Sequence, residues 1–259
     1  MPEPTLRELL DVATEAAYLG GRRTLAYYNT PLSIETKSDN TPVTRADREA
    51  ELAIREYIGR YFPSHAVVGE EHGAAGGDPR YRWIIDPIDG TKSFIHGVPL
   101  FGVLIGVEVD GESQVGVVYM PALDEMLCAA RGLGCRWNGR PAKVSENGEL
   151  AQATLLCGSP MAALRRSDAF ERLASATKLQ RGWGDCYGYV LVATGRADIM
   201  LDPAMNLWDC APLLPILEEA GGRFSNWQGE RTIAGPDAVG ASSQLYPQVL
   251  EVLRSEKRR

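Results

Sequence analysis

The chain has 259 residues, which is enough for one large domain or two packed lobes with a sizeable core. Hydrophobic residues make up 44% and charged residues 24%, the balance of an ordinary globular protein. The formal net charge of -7 argues against a nucleic-acid binder, and it would repel a phosphate ester unless cations offset the charge. No apolar run approaches the roughly 20 residues that span a membrane, so we expect no membrane partner.

The cysteines and the N-terminus indicate the compartment. The chain has five cysteines, an odd number, and none of them has C-x-x-C spacing. This usage is typical of reduced, mostly buried thiols in a cytosolic protein. The segment Met1-Pro2-Glu3-Pro4 lacks the basic and then apolar pattern of a secretion signal. We therefore expect a cytoplasmic location.

The first part of the chain predicts two helices with a loop between them. Apolar residues recur at helical spacing over 5–28, and again after Thr44 as far as Ile58. Residues 33–43 are polar and rich in turn formers, which predicts an exposed, mobile loop. Thr44 and Asp47 have the spacing of a capping box, so Asp47 is either a helix-capping acid or a functional group.

A short predicted strand over 66–69 ends in two acids, Glu70 and Glu71. Side chains of neighbouring residues at a strand end point to opposite faces. We therefore expect one acid to point into a site and the other into solvent. A solvated acidic loop is the alternative that this pair alone leaves open.

The stretch over 83–94 organises the rest of the chain. Its apolar start is typical of a buried strand, and it leads into Asp86 and Asp89, three residues apart across a turn. Pro87 fixes its own φ, and Gly90 permits backbone angles that other residues resist. The two carboxylates can therefore converge on one point.

Two further groups complete a candidate site in this stretch. The Ile88 carbonyl offers a third hard oxygen beside the two carboxylates. The residues from Thr91 to Ser93 follow the glycine like the first turn of a helix, where free N–H groups attract an anion. Oxygen ligands beside such amides are how Mg²⁺ is usually held together with a phosphoryl substrate. An acidic turn between a strand and a helix is the alternative interpretation.

The remainder of the chain predicts strands and then an alternation of strands with helices. Strands are expected over 100–109, 113–120 and 125–130, with hairpin turns at Asp110-Gly111 and Asn138-Gly139. Further strands are expected over 154–158, 179–182, 198–201 and 222–225, and helices over 167–177, 186–194, 207–220 and 246–256. Pro212 and Pro215 predict an irregular start to the helix that contains them. This order predicts a layered α+β or α/β sandwich.

Several acids stand where strands end or helices begin. Because such ends can meet at one rim of a layered fold, we expect these acids to converge: Asp47, Glu70, Asp86, Asp89 and Asp209. Asp185 also opens a predicted helix, and helix capping is the alternative role for it and for Asp209. The three histidines have no metal-ligand spacing. The motifs of serine hydrolases, P-loop NTPases and dinucleotide enzymes do not occur.

In this order, the motifs resemble those of the inositol monophosphatase family. The segments are Pro42-Val43-Thr44-x-x-Asp47, Gly69-Glu70-Glu71, Asp86-Pro87-Ile88-Asp89-Gly90-Thr91, Trp208-Asp209 and Ala220-Gly221-Gly222. The resemblance implies an αβαβα sandwich and a Mg²⁺-dependent, lithium-sensitive phosphatase that is commonly a homodimer. We expect one phosphatase domain of two packed lobes, over about 1–145 and 146–259.

The resemblance also implies roles for individual residues. Up to three Mg²⁺ ions are expected, with Mn²⁺ as a substitute, and the implied metal ligands are Glu70, Asp86, the Ile88 carbonyl, Asp89 and Asp209. The implied catalytic residues, which position the attacking water or help to hold a third ion, are Asp47, Glu70 and Thr91. The backbone of Gly90 and Thr91 is expected to cradle the phosphate. In-line attack by water without a phosphoenzyme follows from this set.

Within the family, the segments Arg181-to-Tyr189 and Asp202-to-Trp208 are most similar to the histidinol-phosphate phosphatases. Histidinol phosphate carries an ammonium and an imidazole, and a carboxylate at Asp185, supported by Asp202, would attract a cation. An inositol-1-phosphatase or a broad sugar phosphatase is the alternative. A non-enzymatic binding protein on the same fold would be expected to lose metal ligands, and this chain retains all of the carboxylates.

Overall fold

The computed structural model describes residues 3–31, 33–36 and 42–255. The helices are α1 (Leu6–Leu25), α2 (Arg45–Tyr61), α3 (Thr91–Ile95), α4 (Pro160–Arg166), α5 (Ala169–Ala176), α6 (Asp185–Ala193), α7 (Leu207–Glu219) and α8 (Tyr246–Arg254). The strands of the first half are β1 (Ile34–Thr36), β2 (Pro42–Thr44), β3 (His65–Gly69), β4 (Gly73–Ala75), β5 (Asp78–Asp89), β6 (Gly102–Val109), β7 (Glu112–Met120), β8 (Glu125–Ala130), β9 (Gly134–Trp137) and β10 (Arg140–Pro141). The strands of the second half are β11 (Thr154–Leu156), β12 (Leu179–Arg181), β13 (Ile199–Asp202), β14 (Gly222–Ser225) and β15 (Ala238–Ser242).

Two large sheets and one short hairpin contain these strands. The eight-stranded sheet has the order β10-β9-β8-β7-β6-β5-β3-β4, and the five-stranded sheet has the order β12-β11-β13-β15-β14. In the larger sheet only β3 and β5 run parallel, and in the smaller one β11 is parallel to both β12 and β13. Strands β1 and β2 pair as a separate antiparallel ladder.

Both faces of the larger sheet are covered by helices. Alternate residues of β6, such as Val103 and Ile105, pack with Leu9 of α1 on one face. Leu104, between them, packs with Leu213 of α7 on the other face. A strand that is buried on both sides favours apolar residues at every position, which explains why β6 is apolar from Gly102 to Val107.

Helices α6 and α7 also contact the smaller sheet, so they form the middle layer. A Cβ placed on Gly240 of β15 would lie 3.0 Å from the Tyr189 ring of α6 and 3.2 Å from Leu217 of α7. The outer face of this sheet packs on α5 and α8 through residues such as Leu173 and Val249. The resulting order of layers is helix, sheet, helix, sheet, helix, which confirms the predicted αβαβα class.

Helix α7 contains two prolines and nevertheless runs without interruption from Leu207 to Glu219. Pro215 has no N–H, so the Ala211 carbonyl loses its usual partner four residues on. The Ser113 hydroxyl of β7 donates to that carbonyl at 2.6 Å and replaces the missing bond. A Cβ on Gly116 would lie 2.0 Å from the Pro212 carbonyl oxygen, so glycine lets this helix lie close against β7.

Two local predictions were wrong. Part of the predicted loop over 33–43 forms strands β1 and β2, and the prediction for residues 37–41 lies outside the described residues. The strand predicted at the start of 83–94 extends over Asp78–Asp89, so Pro87 lies within an irregular part of the strand rather than in a turn. In both places the residues form a strand because a neighbouring strand is close enough to pair with them, even where they are polar. The local sequence does not reveal that neighbour.

The other predicted helices and strands are present, with ends that move by a few residues. The sequence interpretation missed α4, β4, β9, β10 and β15. Strand β15 is fully buried, yet it holds Gly240 and small residues that carry little apolar signal. All five cysteines are free thiols, and no described helix is long and apolar enough for a membrane crossing.

Replacing Ser113 tests how α7 is held. Ser113→Ala leaves the buried Ala211 carbonyl without a donor, and we expect the free energy of unfolding to fall by about 1–3 kcal/mol. Thr30→Ala removes an exposed hydroxyl that donates to the Tyr27 carbonyl, and it should change stability by less than about 0.5 kcal/mol. Chemical denaturation of both variants measures the difference. Equal effects of the two changes would show that the Ser113 bond does not stabilise the helix.

Candidate active site

The end of β5 places Asp86 and Asp89 on the same face of the sheet. Asp86 pairs with Leu104 and Asp89 with Gly102, so three steps along β5 oppose two steps along β6. In a regular strand, residues three apart point to opposite faces. The one extra residue restores the same face for both acids, as a β-bulge does. The Ile88 N–H donates to Asp86 Oδ1 at 3.0 Å and closes this irregular segment.

Asp209 reaches the same point from the first turn of α7. The Asn206 N–H donates to Asp209 Oδ2 at 2.7 Å, which fixes the carboxylate at the helix start. Oxygen atoms of Asp86, Asp89 and Asp209 all lie within 4.8 Å of one another. The capping role and the site role that the sequence left open for Asp209 are therefore compatible, because the cap uses only one carboxylate oxygen.

Asp86 is buried, Asp89 and Asp209 are partly buried, and the three carboxylates repel one another. Burial raises the pKa of Asp86 well above its usual range, and the charges of Glu70, Asp89 and Asp209 raise it further. Burial raises the pKa of Asp89 in the same way, with Asp185 as the next cause. The pKa of Asp209 rises to about 6, chiefly by burial. Clustered anionic oxygens in a buried site are the donor set that hard divalent cations prefer, so these residues fit a Mg²⁺-type ion.

Glu70 and Asp47 extend this cluster along the rim. The Glu70 N–H donates to the Ile85 carbonyl at 3.1 Å, which places the residue beside the end of β5. Burial raises the pKa of Asp47, and the Glu70 charge adds to this rise. Glu70 raises the pKa of both Asp47 and Asp86, so its carboxyl group is near each of them.

Asp47 combines a capping role with a position in the site. Its Oδ2 accepts the Thr44 N–H at 2.8 Å and the Thr44 hydroxyl at 2.7 Å, which completes the predicted capping box of α2. Its Oδ1 lies 3.5 Å from the Thr91 hydroxyl, which donates to the Ile88 carbonyl at 3.0 Å. Thr91 therefore joins the start of α2 to the end of β5.

Gly90 turns the chain from β5 into α3. Its φ of 83° is in the left-handed region, which favours glycine. A Cβ at this position would lie 2.9 Å from the Leu100 carbonyl oxygen and 3.2 Å from Asp185 Oδ2. The close approach of Asp185 brings a carboxylate from α6 to the turn between the acids and α3.

The first residues of α6 contribute two contacts. Asp185 has φ of 52°, an unusual angle for a residue with a side chain, and burial raises the pKa of its carboxyl group. The Cys186 N–H donates to Asp89 Oδ2 at 2.5 Å. The sequence analysis did not select Cys186, although the first amides of a helix lack partners within the helix and could have been proposed as donors.

Asp202 lies at the end of β13, and its Oδ2 is buried without a hydrogen-bond partner among the described residues. Burial raises the pKa of Asp202 to about 8, and the charge of Asp185 is the next cause. The Tyr189 hydroxyl, which the sequence analysis also missed, is buried near Asp202 and lowers the pKa of that carboxyl group, although the two form no hydrogen bond of normal geometry. The structure thus brings Asp185 and Asp202 near each other and near the Asp89 end of the cluster.

Solved structures with the same fold define the class of protein. An inositol monophosphatase from Anabaena (Nostoc) sp. PCC 7120 is 32% identical, with a TM-score of 0.83 over 96% of each chain. The chain therefore has the fold of an inositol monophosphatase, which is a phosphoric monoester hydrolase.

The sequence comparisons identify the family. The profile of the Inositol monophosphatase family matches residues 5–258. The chain is 42% identical to a histidinol-phosphatase of Chlorobaculum parvum, over 96% of this chain and 98% of that one. It is 40% identical to a histidinol-phosphatase of Mycobacterium tuberculosis, over 86% of this chain and 89% of that one. The chain therefore belongs to the inositol monophosphatase family.

Substitution of Asp89 tests the charge cluster. In Asp89→Asn the amide oxygen still accepts from Cys186, while one buried charge is removed. The pKa of Asp89 is higher in the folded protein than in the unfolded chain, where it is about 3.9. Ionisation of Asp89 therefore opposes folding as the pH rises above that unfolded-state pKa. We expect this variant, in the presence of a chelator at pH 8, to melt higher than the wild type by about 2–4 °C for each kcal/mol of repulsion removed.

The same melts at pH 4 and with added Mg²⁺ provide the control. The advantage of Asp89→Asn should shrink at pH 4, where the wild-type carboxyl group is protonated in the folded protein. Mg²⁺ should raise the melting temperature of the wild type more than that of the variant. A variant that is less stable than the wild type at both pH values would contradict the proposed repulsion.

Proposed function

We propose that this protein hydrolyses L-histidinol phosphate to L-histidinol and inorganic phosphate, in a reaction that depends on Mg²⁺. The observation that supports the substrate assignment is a pair of carboxyl groups beside the carboxylate cluster, the partly buried Asp185 and the buried Asp202. Asp185 Oδ2 lies 3.2 Å from the Cβ position of Gly90, and Asp202 Oδ2 has no protein partner among the described residues.

A cationic substrate suits this pair. Burial raises the pKa of both carboxyl groups, so their ionised forms need a compensating charge. Histidinol phosphate carries an ammonium and an imidazole, whereas inositol phosphate offers only neutral hydroxyls to the same groups. A cation bound between the two acids would be stabilised by both charges.

The metal assignment follows the donor set. Glu70, Asp86 and the Ile88 carbonyl would hold one ion, and the three clustered aspartates a second: Asp86, Asp89 and Asp209. Glu70 and Asp47, with bridging waters, would help to hold a third. When bound, the ions would offset the phosphate charge and lower the pKa of a bound water. Mg²⁺ is proposed as the natural ion and Mn²⁺ as a substitute, because both accept oxygen ligands.

The chain's own groups orient the reactants. The hydroxyl of Thr91 donates to Ile88, so its oxygen lone pairs remain available to a water near Asp47 Oδ1. The amides of Gly90 and Thr91 donate to phosphate oxygens. The water oxygen forms a bond to phosphorus in line with the ester oxygen, whose bond to phosphorus breaks. The attacking water loses one proton, and the leaving histidinol oxygen gains one, so the reaction balances.

Two further parts of the proposal concern the protein as a whole. We propose a homodimer, on the strength of the family resemblance. A cytoplasmic location is supported by the five free cysteines, since reducing compartments keep thiols unpaired. The partners are thus a small phosphate ester and a second copy of the chain.

An inositol-1-phosphatase is the second candidate. It is favoured by a relative of Aquifex aeolicus, 35% identical, which is named fructose-1,6-bisphosphatase/inositol-1-monophosphatase. Phosphate release from L-histidinol phosphate and from inositol 1-phosphate, at matched concentrations with Mg²⁺, separates the candidates. Preference for inositol 1-phosphate would overturn the proposed substrate while leaving the metal chemistry intact.

The role of Asp185 has its own test. Asp185→Asn removes the negative charge without changing the size of the side chain. We expect KM for histidinol phosphate to rise about tenfold, equivalent to about 1.4 kcal/mol. KM for a sugar phosphate, whose sugar carries no cationic group, should change much less, because Asp185 forms no ion pair with that substrate. A similar change for both substrates would remove Asp185 from substrate selection.

A further inference from the structure

The turn that carries Glu70 rests on the buried side chain of Glu51. The Glu71 N–H donates to Glu51 Oε2 at 2.7 Å, and the His72 N–H lies 3.3 Å from Glu51 Oε1. The Glu51 side chain is 0% exposed. A buried carboxylate that accepts backbone N–H groups fixes the segment that donates them, because breaking these bonds would leave a buried charge unsatisfied.

The strand that enters the turn is also in contact with this carboxylate. A Cβ placed on Gly69 would lie 2.1 Å from Glu51 Oε1, closer than any real contact. Glycine therefore allows the end of β3 to lie against the carboxylate. Glu70 stands between Gly69 and Glu71, so the residues on both sides of it contact Glu51.

Arg55 completes the contact between α2 and the turn. Its Nε donates to Glu51 Oε1 at 2.6 Å, which balances the buried charge. The same guanidinium donates to the Gly73 carbonyl at the far end of the turn. The Glu51–Arg55 pair thus joins α2 to the backbone before and after the segment that contains Glu70.

The helix that provides Glu51 also provides Asp47. These residues are four apart on α2, and residues at this spacing lie on the same face of a helix. The Glu70 N–H in turn donates to the Ile85 carbonyl at 3.1 Å, one residue before Asp86. Glu70 is therefore held between the helix of Asp47 and the strand of Asp86.

From these contacts we propose that Glu51 is a positioning residue, which presets the Glu70 carboxylate for metal binding. The inference rests on the proposed function, since it concerns a ligand of the proposed metal centre. Glu51 acts on the backbone around Glu70 and needs no contact with metal or substrate. Replacing groups that hydrogen-bond directly to metal ligands commonly changes metal affinity by about 10- to 100-fold, and because Glu51 acts through the backbone we expect a change at the lower end of that range.

Matched variants on α2 test this proposal. Glu51→Gln keeps the size of the side chain but presents an NH₂ group to one of its donors. Glu56→Gln is the control, because Glu56 forms the same type of pair with Arg60 four residues on, yet both side chains are exposed. Electron paramagnetic resonance would measure Mn²⁺ binding without substrate. Hydrogen exchange of the metal-free protein would report on the amides of Glu71 and His72.

We expect Glu51→Gln to weaken Mn²⁺ binding about tenfold and to speed exchange of those two amides. Glu56→Gln should match the wild type in both measurements. Glu51→Asp keeps the charge but shortens the side chain, and it should change Mn²⁺ binding and amide exchange in the same direction. This variant replaces Glu51→Gln in the test if Glu51→Gln does not fold. A positional role requires both effects, whereas a purely structural role would lower the melting temperature and leave Mn²⁺ affinity unchanged.

Wild-type Mn²⁺ affinity in Glu51→Gln and Glu51→Asp would overturn the proposal, whatever their melting temperatures. A wild-type protein that binds no Mn²⁺ would overturn the metal centre itself and this inference with it. In that case hydrogen exchange of the Glu71 and His72 amides would still show whether Glu51 holds the turn in place. Failure of the metal centre and failure of the positioning role are therefore distinguishable.

Discussion

Electrostatic repulsion among clustered, partly buried carboxylates constrains how this fold is built. Oxygens of Asp86, Asp89 and Asp209 lie within 4.8 Å of one another, and burial with mutual charge raises their pKa values. Such a cluster opposes folding unless protons or cations compensate it. The remainder of the fold must therefore hold these acids in place against their own repulsion, in readiness for an ion.

Hydrogen bonds from backbone groups provide that restraint. Asp47 and Asp209 each stand in the first turn of a helix, where one carboxylate oxygen accepts a backbone N–H and the other remains for the site. Asp89 accepts the N–H of Cys186, the second residue of α6, and Asp86 accepts the Ile88 N–H. Helix α7, which carries Asp209, is packed between both sheets. The rigid layers thus position the acids, while local backbone donors orient them.

Sequence patterns predicted the layers well, because buried strands leave strong local signals, and the capping signals located Asp47 and Asp209 in the first turns of their helices. The β5 segment shows the limit of this reasoning. The carboxylates of Asp86 and Asp89 were expected to converge through a turn, whereas they do so through a bulge whose register depends on β6. Contacts of Glu51 and Cys186 with the site were not predicted, since they join elements distant in sequence. Strand β15 was missed because its small residues resemble a loop.

The central claim is that these acids bind divalent cations beside the phosphate site. Anomalous diffraction from crystals soaked in Mn²⁺ and phosphate tests it most directly, because the ion is seen independently of activity. We expect anomalous peaks at oxygen-ligand distance from Asp86, Asp89 and Asp209, about 2.0–2.3 Å, with phosphate next to Gly90 and Thr91. Ordered Mn²⁺ only at other surfaces, with the cluster empty, would contradict it.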